Sequence, residues 1–213
     1  MTTLAKIWSP LWRTVLVLLT LQITATTVSR YLAGAEPAPP PILANAYADP
    51  FLLIHAVSGM VALLLGPVQF VRRLRARAPA LHRATGKAYV AACAVAAPSG
   101  LVLALGTTAG PVAATGFALQ ALLLPLFVYL GVRAATERRI EAHGAWMLRA
   151  YAVIAGAVTL RLTLPAGMAA GYDFLTAYQA SAWLASSINL ALAEWHIRRV
   201  RGSSDGFPTL AAA

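Results

Sequence analysis

Charge is scarce in this chain. Only 11% of its 213 residues are Asp, Glu, Lys or Arg, where a soluble domain carries about 25%. Too few polar groups exist to coat a globule in water, so lipid must solvate much of the surface. Acid is scarcer than base, at 7 residues against 17. Cysteine is nearly missing. Cys93 alone excludes an intrachain disulfide framework and a CxxC site. Inside an apolar run it reads as a small buried filler. No HExxH, HxxxH, Gly-rich phosphate loop, paired carboxylate motif or Ser-His-Asp set appears. Dedicated zinc sites, phosphate-cradle chemistry and triad hydrolysis therefore have no motif to rest on.

What is present is apolar, with 59% hydrophobic residues and a mean hydropathy of +0.68. Runs near 11–32, 51–71, 80–106, 117–133, 145–165 and 174–195 each approach the ~20 residues needed to cross ~30 Å of hydrocarbon. The sequence thus predicts an all-α fold. It is a six-transmembrane-helix bundle, one integral membrane domain over 1–213. The first run has a basic start and small residues after it, which a secretory signal would also show. It is longer than a signal core of ~7–15 residues, so we read it as a retained helix. A Pro-rich linker follows at 33–50. Pro37, Pro39, Pro40 and Pro41 predict an extended polyproline segment there. Asp49-Pro50 reads as an N-cap followed by a first helical residue.

The net charge of +10 is not a nucleic-acid signal, because the cations cluster at the ends of apolar runs and leave no soluble basic domain. They follow the positive-inside pattern instead. The N-terminus, 72–87, 133–149 and the C-tail hold nearly all Lys and Arg, while the other connections hold little beyond Arg30. Both termini are expected in the cytoplasm and the linker in the periplasm. Trp8, Trp12, Trp146 and Trp195 fall near the cytoplasmic face as interfacial anchors. The lipid bilayer is the expected partner, with a small homo-oligomer allowed.

Two stretches at that face echo each other. HRATGKAY begins at His82, and HGAWMLRAY begins at His143. Both end in cation-Ala-Tyr, at Lys87-Ala88-Tyr89 and Arg149-Ala150-Tyr151. Both enter helices that cross in the same direction, so a duplicated helix pair would be related by an axis along the membrane normal. Chance gathering of His, Arg and Tyr at helix entrances gives the same pattern without duplication. Upstream, His55, Gly59, Ala62, Gly66 and Gln69 recur at helical spacing. Small residues on such a stripe let backbones approach closely in lipid.

GPVQF, LHRATGKAYV and HGAWMLRAYA followed by TLRL together resemble the bacterial membrane family filed as domain of unknown function 2306. The resemblance covers about 50–165 of the sequence. It implies a multi-span inner-membrane protein and supplies no reaction. The family pattern often has a second basic residue after the later histidine, where this chain has Gly144.

The candidate site follows from the histidines. His82 and His143 are read as axial ligands of a haem b, or as a shared metal or proton site, because imidazole suits such metals. Arg83, Lys87 and Arg149 would then face propionates or another anion. The competing reading makes these groups interfacial anchors bonded to loop carbonyls and lipid phosphates. His55 and Arg161 lie at matching depth near the outer ends of their helices. They would hold a quinone headgroup, a propionate or an anionic lipid. Alternatively Arg161 snorkels and His55 bonds a backbone carbonyl. His196 reads as a solvated cap. The functional expectation is a haem- or quinone-associated redox protein. A small-molecule permeation protein and an accessory subunit without chemistry are the alternatives.

Overall fold

The computed structural model describes residues 18–32 and 40–202, and among them every regular element is helical. The described chain divides into two compact units, Met1–Ala38 and Pro39–Ala213. In the first, helix α1 is described over 18–32 and closes in a π-helical turn, Val28–Leu32. Its threonines turn inward on their own helix: Thr24 Oγ1 donates to Thr20 O (2.8 Å) and Thr26 Oγ1 to Ile23 O (3.0 Å). The expected start near residue 11, the anchors Trp8 and Trp12, and the first part of the linker, 33–39, lie outside the described residues.

The second unit runs α2 (Pro40–Leu43), α3 (Ala48–Gln69), α4 (Arg72–Arg77), α5 (Pro79–Leu105), α6 (Gly110–Thr136), α7 (Ile140–Ile154), α8 (Gly156–Ala169) and α9 (Phe174–Gly202). Among the described residues four segments are long and apolar enough to cross a membrane. They are Ala48–Gln69, Pro79–Leu105, Gly110–Thr136 and Ile140–Ala169, of 22, 27, 27 and 30 residues. At 1.5 Å per residue each exceeds ~30 Å. Helices α3 and α5 pack as one antiparallel pair, α6 and α7 as another, and α9 runs beside α6, α7 and α8. One end of the unit carries the basic segments around α4 and the α6–α7 loop. We call it the basic end, and its opposite the far end.

Several local expectations shift. The linker's last prolines are not extended: Pro40 opens the helical turn α2, because a φ fixed near −65° also suits a first helical turn. Asn45 then ties the segment to α5. Its Nδ2 donates to Leu103 O (2.7 Å), and Ala46 N donates to Gly106 O (2.9 Å). Asp49 does not act as the expected cap: α3 begins at Ala48 without a side-chain cap bond, and Asp49 is an extended residue (φ −99, ψ 126) inside it. Helix α6 begins at Gly110 rather than near 117, with Pro111 in its first turn and Gly110 at φ +82 making the entry. Gln179 Nε2 and Trp183 Nε1 of α9 donate to Ala109 O (2.7 Å) and Val112 O (2.9 Å), satisfying carbonyls around that start.

Helix α5 runs on through Pro98. A proline in lipid removes one helical hydrogen bond, and nearby donors can compensate. The next carbonyls along are drawn on by side chains: Ser99 Oγ donates to Val95 O at 2.7 Å, and His55 Nδ1 lies 2.9 Å from Ala96 O, while the carbonyl Pro98 itself leaves free is that of Ala94. Besides that at Asp49, at the start of α3, an interruption in a candidate span occurs without a proline. It falls between Ile154 and Gly156, where Ala155 separates α7 from α8.

Candidate functional site

The three stretches GPVQF, HRATGKAY and HGAWMLRAY meet at the basic end. The centre of the junction is Gln69, buried on the last turn of α3. Its amide lies 2.8 Å from Thr85 Oγ1 and also reaches His82 and Gly86. In the orientation that satisfies both of its ends, the amide nitrogen donates to His82 Nδ1 (3.0 Å) and His82 O (3.2 Å). Its oxygen then accepts from Thr85 Oγ1 (2.8 Å) and Gly86 N (3.3 Å). The chemistry favours this assignment, because a backbone carbonyl can only accept and a backbone N–H can only donate. Gly86 permits the approach, since a Cβ there would lie 3.2 Å from the amide. Arg75 Nη1 closes the α3 terminus by donating to Gln69 O at 3.1 Å.

His143 is held in a parallel way by the helix before it. Its Nδ1 lies 2.9 Å from Gly131 O of α6. A carbonyl only accepts, so Nδ1 carries the proton there and Nε2 presents a lone pair. His82 is the opposite case. An amide N–H donated to Nδ1 leaves the ring proton on Nε2. The two rings lie within electrostatic range of each other, and Arg75 and Arg83 lie within range of His82. Both histidines that the sequence singled out thus lie at the basic end.

The tyrosines of the echo also converge. Tyr89 is among the most buried side chains, at 1% exposure, and both Cys93 and Tyr151 are near enough to interact with it. Tyr151 lies against α3, where a Cβ on Gly66 would fall 2.2 Å from its ring. Its centroid is 5.9 Å from that of Phe70.

Arg149 has a different partner from the one its motif suggests. It makes a two-pronged pair with Glu194 of α9, Nε to Oε1 and Nη2 to Oε2 (3.0 Å). Its guanidinium also sits 4.5 Å from the centroid of Trp146. Arg83 and Lys87 are exposed, and so is His196. In the α6–α7 loop, hydrogen bonds from Arg133 and Arg139 hold the Glu137 carboxyl below its ordinary range.

At the far end His55 and Arg161 lie within electrostatic range. Each also meets a carbonyl: His55 Nδ1 is 2.9 Å from Ala96 O, and Arg161 Nη1 donates to Ala157 O at 3.0 Å. The His55 ring rests on Gly100, whose added Cβ would lie 2.9 Å from Cε1. Gly100→Ala should therefore push the ring off Ala96 O and cost about 1–2 kcal/mol. That is a fall of roughly 2–8 °C in the unfolding midpoint, relieved in Gly100→Ala/His55→Ala. An unchanged midpoint in the single variant would place His55 elsewhere.

Among the described residues no group of three or more His, Cys, Asp or Glu could hold a metal ion. The family model described as Predicted membrane protein (DUF2306) matches residues 52–197. The chain belongs to this family. The match contains all three converging stretches and extends beyond them through most of α9, taking in Glu194. No curated protein and no solved structure matches the chain. In this DUF2306 protein Gln69 ties the GPVQF stretch to His82, and Tyr151 packs on Gly66 of the same stretch. Sequence reasoning missed two members. Gln69 was visible in a stripe and in the GPVQF stretch but was given no role, and Glu194 lies 45 residues from Arg149, so no local spacing connects them.

Proposed function

We propose that this DUF2306 protein is a six-span bundle whose basic end faces the cytoplasm and whose His82–His143 pair binds the headgroup of a quinone. Helices α1 and α9 supply the spans beyond the four apolar segments, and the Lys and Arg asymmetry sets the orientation. A duplicated helix pair is supported by the way both histidines are pinned: each meets, at Nδ1, a group near the end of the preceding long helix, α3 for His82 and α6 for His143.

One observation carries the quinone reading. The two rings, within electrostatic range of each other at the basic end, offer unlike edges: His82 a donor at Nε2, His143 an acceptor at Nε2. A quinone carbonyl accepts from the first, and the hydroxyl of the reduced form donates to the second. Haem b suits these residues less well. A bis-histidine iron needs a lone pair from each ring, and in the amide-satisfying arrangement His82 presents N–H there. Arg149, the expected propionate partner, is engaged by Glu194.

The test is binding of a short-chain quinone to protein in lipid nanodiscs, followed by quenching of tryptophan fluorescence. His82→Ala and His143→Ala should each weaken binding by roughly 2- to 12-fold, the worth of one hydrogen bond. Arg161→Ala, at the far end, should leave it unchanged. Equal affinity in all three variants removes the quinone site. A Soret band in protein from haem-replete cells, lost in His143→Ala, would replace the reading with haem.

A further inference from the structure

The basic end has two cationic segments, and only one of them is neutralised from within. Residues 133–149 hold Arg133, Arg138, Arg139 and Arg149 together with Glu137 and Glu141. Glu137 accepts from Arg133 Nε at 2.8 Å and from Arg139 Nε at 2.7 Å, and Glu194 engages Arg149. Residues 72–87 hold Arg72, Arg73, Arg75, Arg77, Arg83 and Lys87, and no Asp or Glu occurs anywhere from 51 to 136. Membrane topology accounts for cations in both segments. It does not account for counter-charge in one and none in the other.

Within 72–87 one arginine is used by the fold: Arg75 donates to Gln69 O at 3.1 Å. Arg73, Arg77, Arg83 and Lys87 are exposed. Among the described residues no hydrogen bond or ion pair ties Arg73, Arg77 or Lys87 to the protein. Arg73 and Arg77 stand four apart on α4, and Arg83 and Lys87 stand four apart on α5. Residues at that spacing are neighbours on a helix surface, where like charges repel each other. An anion between them turns the repulsion into attraction.

The surface that continues from Arg83 and Lys87 is apolar. Ala91 and Val95 follow at the same four-residue spacing, with Ala84 and Ala88 alongside, and all four are exposed. One face of α5 therefore begins in two cations and runs on as small and branched apolar groups. Lys87 lies about 6 Å deeper than Arg83 by helical rise, and its long stem lets the ammonium reach back to the depth of the guanidinium. A free phosphate ion would use only the first part of this face. A phospholipid uses all of it. Clusters of four or more Lys and Arg beside a transmembrane helix are suited to lipids of net negative charge.

We propose that α4 and the first turns of α5 form a binding site for an anionic phospholipid. Its phosphate sits between Arg83 and Lys87, and an acyl chain lies along Ala84, Ala88, Ala91 and Val95. Arg73 and Arg77 add attraction for a headgroup with net negative charge, which a zwitterionic lipid lacks. The α6–α7 loop, already neutralised by Glu137, forms no such site. This rests on the basic end lying at a membrane surface and not on the quinone reading, so failure of either leaves the other standing.

The test is native mass spectrometry of the full chain in detergent, titrated with phosphatidylglycerol or with phosphatidylcholine of matched acyl chains. Phosphatidylglycerol should bind more tightly. Each cation beside an anionic headgroup is worth roughly fivefold in affinity, so Arg83→Gln/Lys87→Gln should weaken phosphatidylglycerol binding by roughly 5- to 25-fold. Phosphatidylcholine binding should stay at the wild-type value. Arg133→Gln/Arg139→Gln removes the same net charge from the neutralised loop and should leave phosphatidylglycerol binding close to wild type. Equal binding of the two lipids overturns the site. Equal weakening by the two double variants also overturns it, because attraction is then a diffuse field with no fixed place. Inorganic phosphate at the lipid concentration should displace nothing, and displacement by it would overturn the lipid assignment. If Arg83→Gln/Lys87→Gln does not fold, Arg73→Gln/Arg77→Gln is read against the same control with the same outcomes.

Discussion

Gly66→Ala is expected to lower the unfolding midpoint more than any other single methyl addition on α3. Its Cβ would lie 2.2 Å from two ring atoms of Tyr151, well inside van der Waals contact. The ring cannot simply step aside, because Phe70 is packed beside it and the buried Tyr89 is also near. Overpacking of this kind costs about 1–3 kcal/mol, and overlap with the body of a ring belongs at the upper end. Better helix propensity returns somewhat under ~1 kcal/mol. A net fall of roughly 4–10 °C follows for a chain of this size. Gly59→Ala is the built-in control, since no atom outside its own helix neighbourhood lies within 4 Å of a Cβ placed there. That variant should equal or slightly exceed wild type, by the propensity gain alone. Removing the ring should relieve the clash, so Gly66→Ala should cost far less in a Tyr151→Ala background. Such non-additivity marks direct contact. Equal midpoints for Gly66→Ala and wild type would mean that α3 and α7 do not meet through this pair.

The comparison of Gly59 with Gly66 shows where sequence reading reached its limit. Spacing placed His55, Gly59, Ala62, Gly66 and Gln69 on one stripe, and most of it does pack: Ala62 is fully buried, Gly66 receives Tyr151 and His55 rests on Gly100. Periodicity says which residues share a face. It does not say how near the neighbouring helix passes at each turn, so the open space at Gly59 was invisible. Hydropathy located the apolar helices well, because burial in hydrocarbon needs only length and composition. It could not locate the break in the fifth. Proline marks helix breaks in water, yet Pro98 and Pro125 stay inside continuous helices while the interruption falls at Ala155. The placing of both histidines at one end was legible because two similar stretches enter helices after basic segments. Their unlike ring edges were not, since they depend on Gln69 and on a backbone carbonyl of another helix.

Arg149→Ala carries the other large expected effect, and it separates an anchoring role from a ligand-binding one. The guanidinium joins α7 to Glu194 of α9 and covers Trp146, which stacks on Phe127 of α6 at 5.8 Å. One side chain therefore links three helices. Arg149 is 15% exposed and Glu194 is 37% exposed. Breaking a fully buried pair costs ~3–5 kcal/mol, but the carboxylate's access to water reduces this to about 1–3 kcal/mol. The midpoint should fall by roughly 2–10 °C. Arg149→Lys should keep part of the loss, because a point charge cannot match both carboxylate oxygens or lie flat on an indole. Glu194→Gln should lower the midpoint as well, and Arg149→Met/Glu194→Gln should cost less than the two single losses added. If Arg149 serves an anionic ligand instead, its removal should weaken ligand binding while Glu194→Gln leaves stability untouched. The sign and size of the coupling between positions 149 and 194 therefore distinguish a cation that ties the bundle together from one that waits for a substrate.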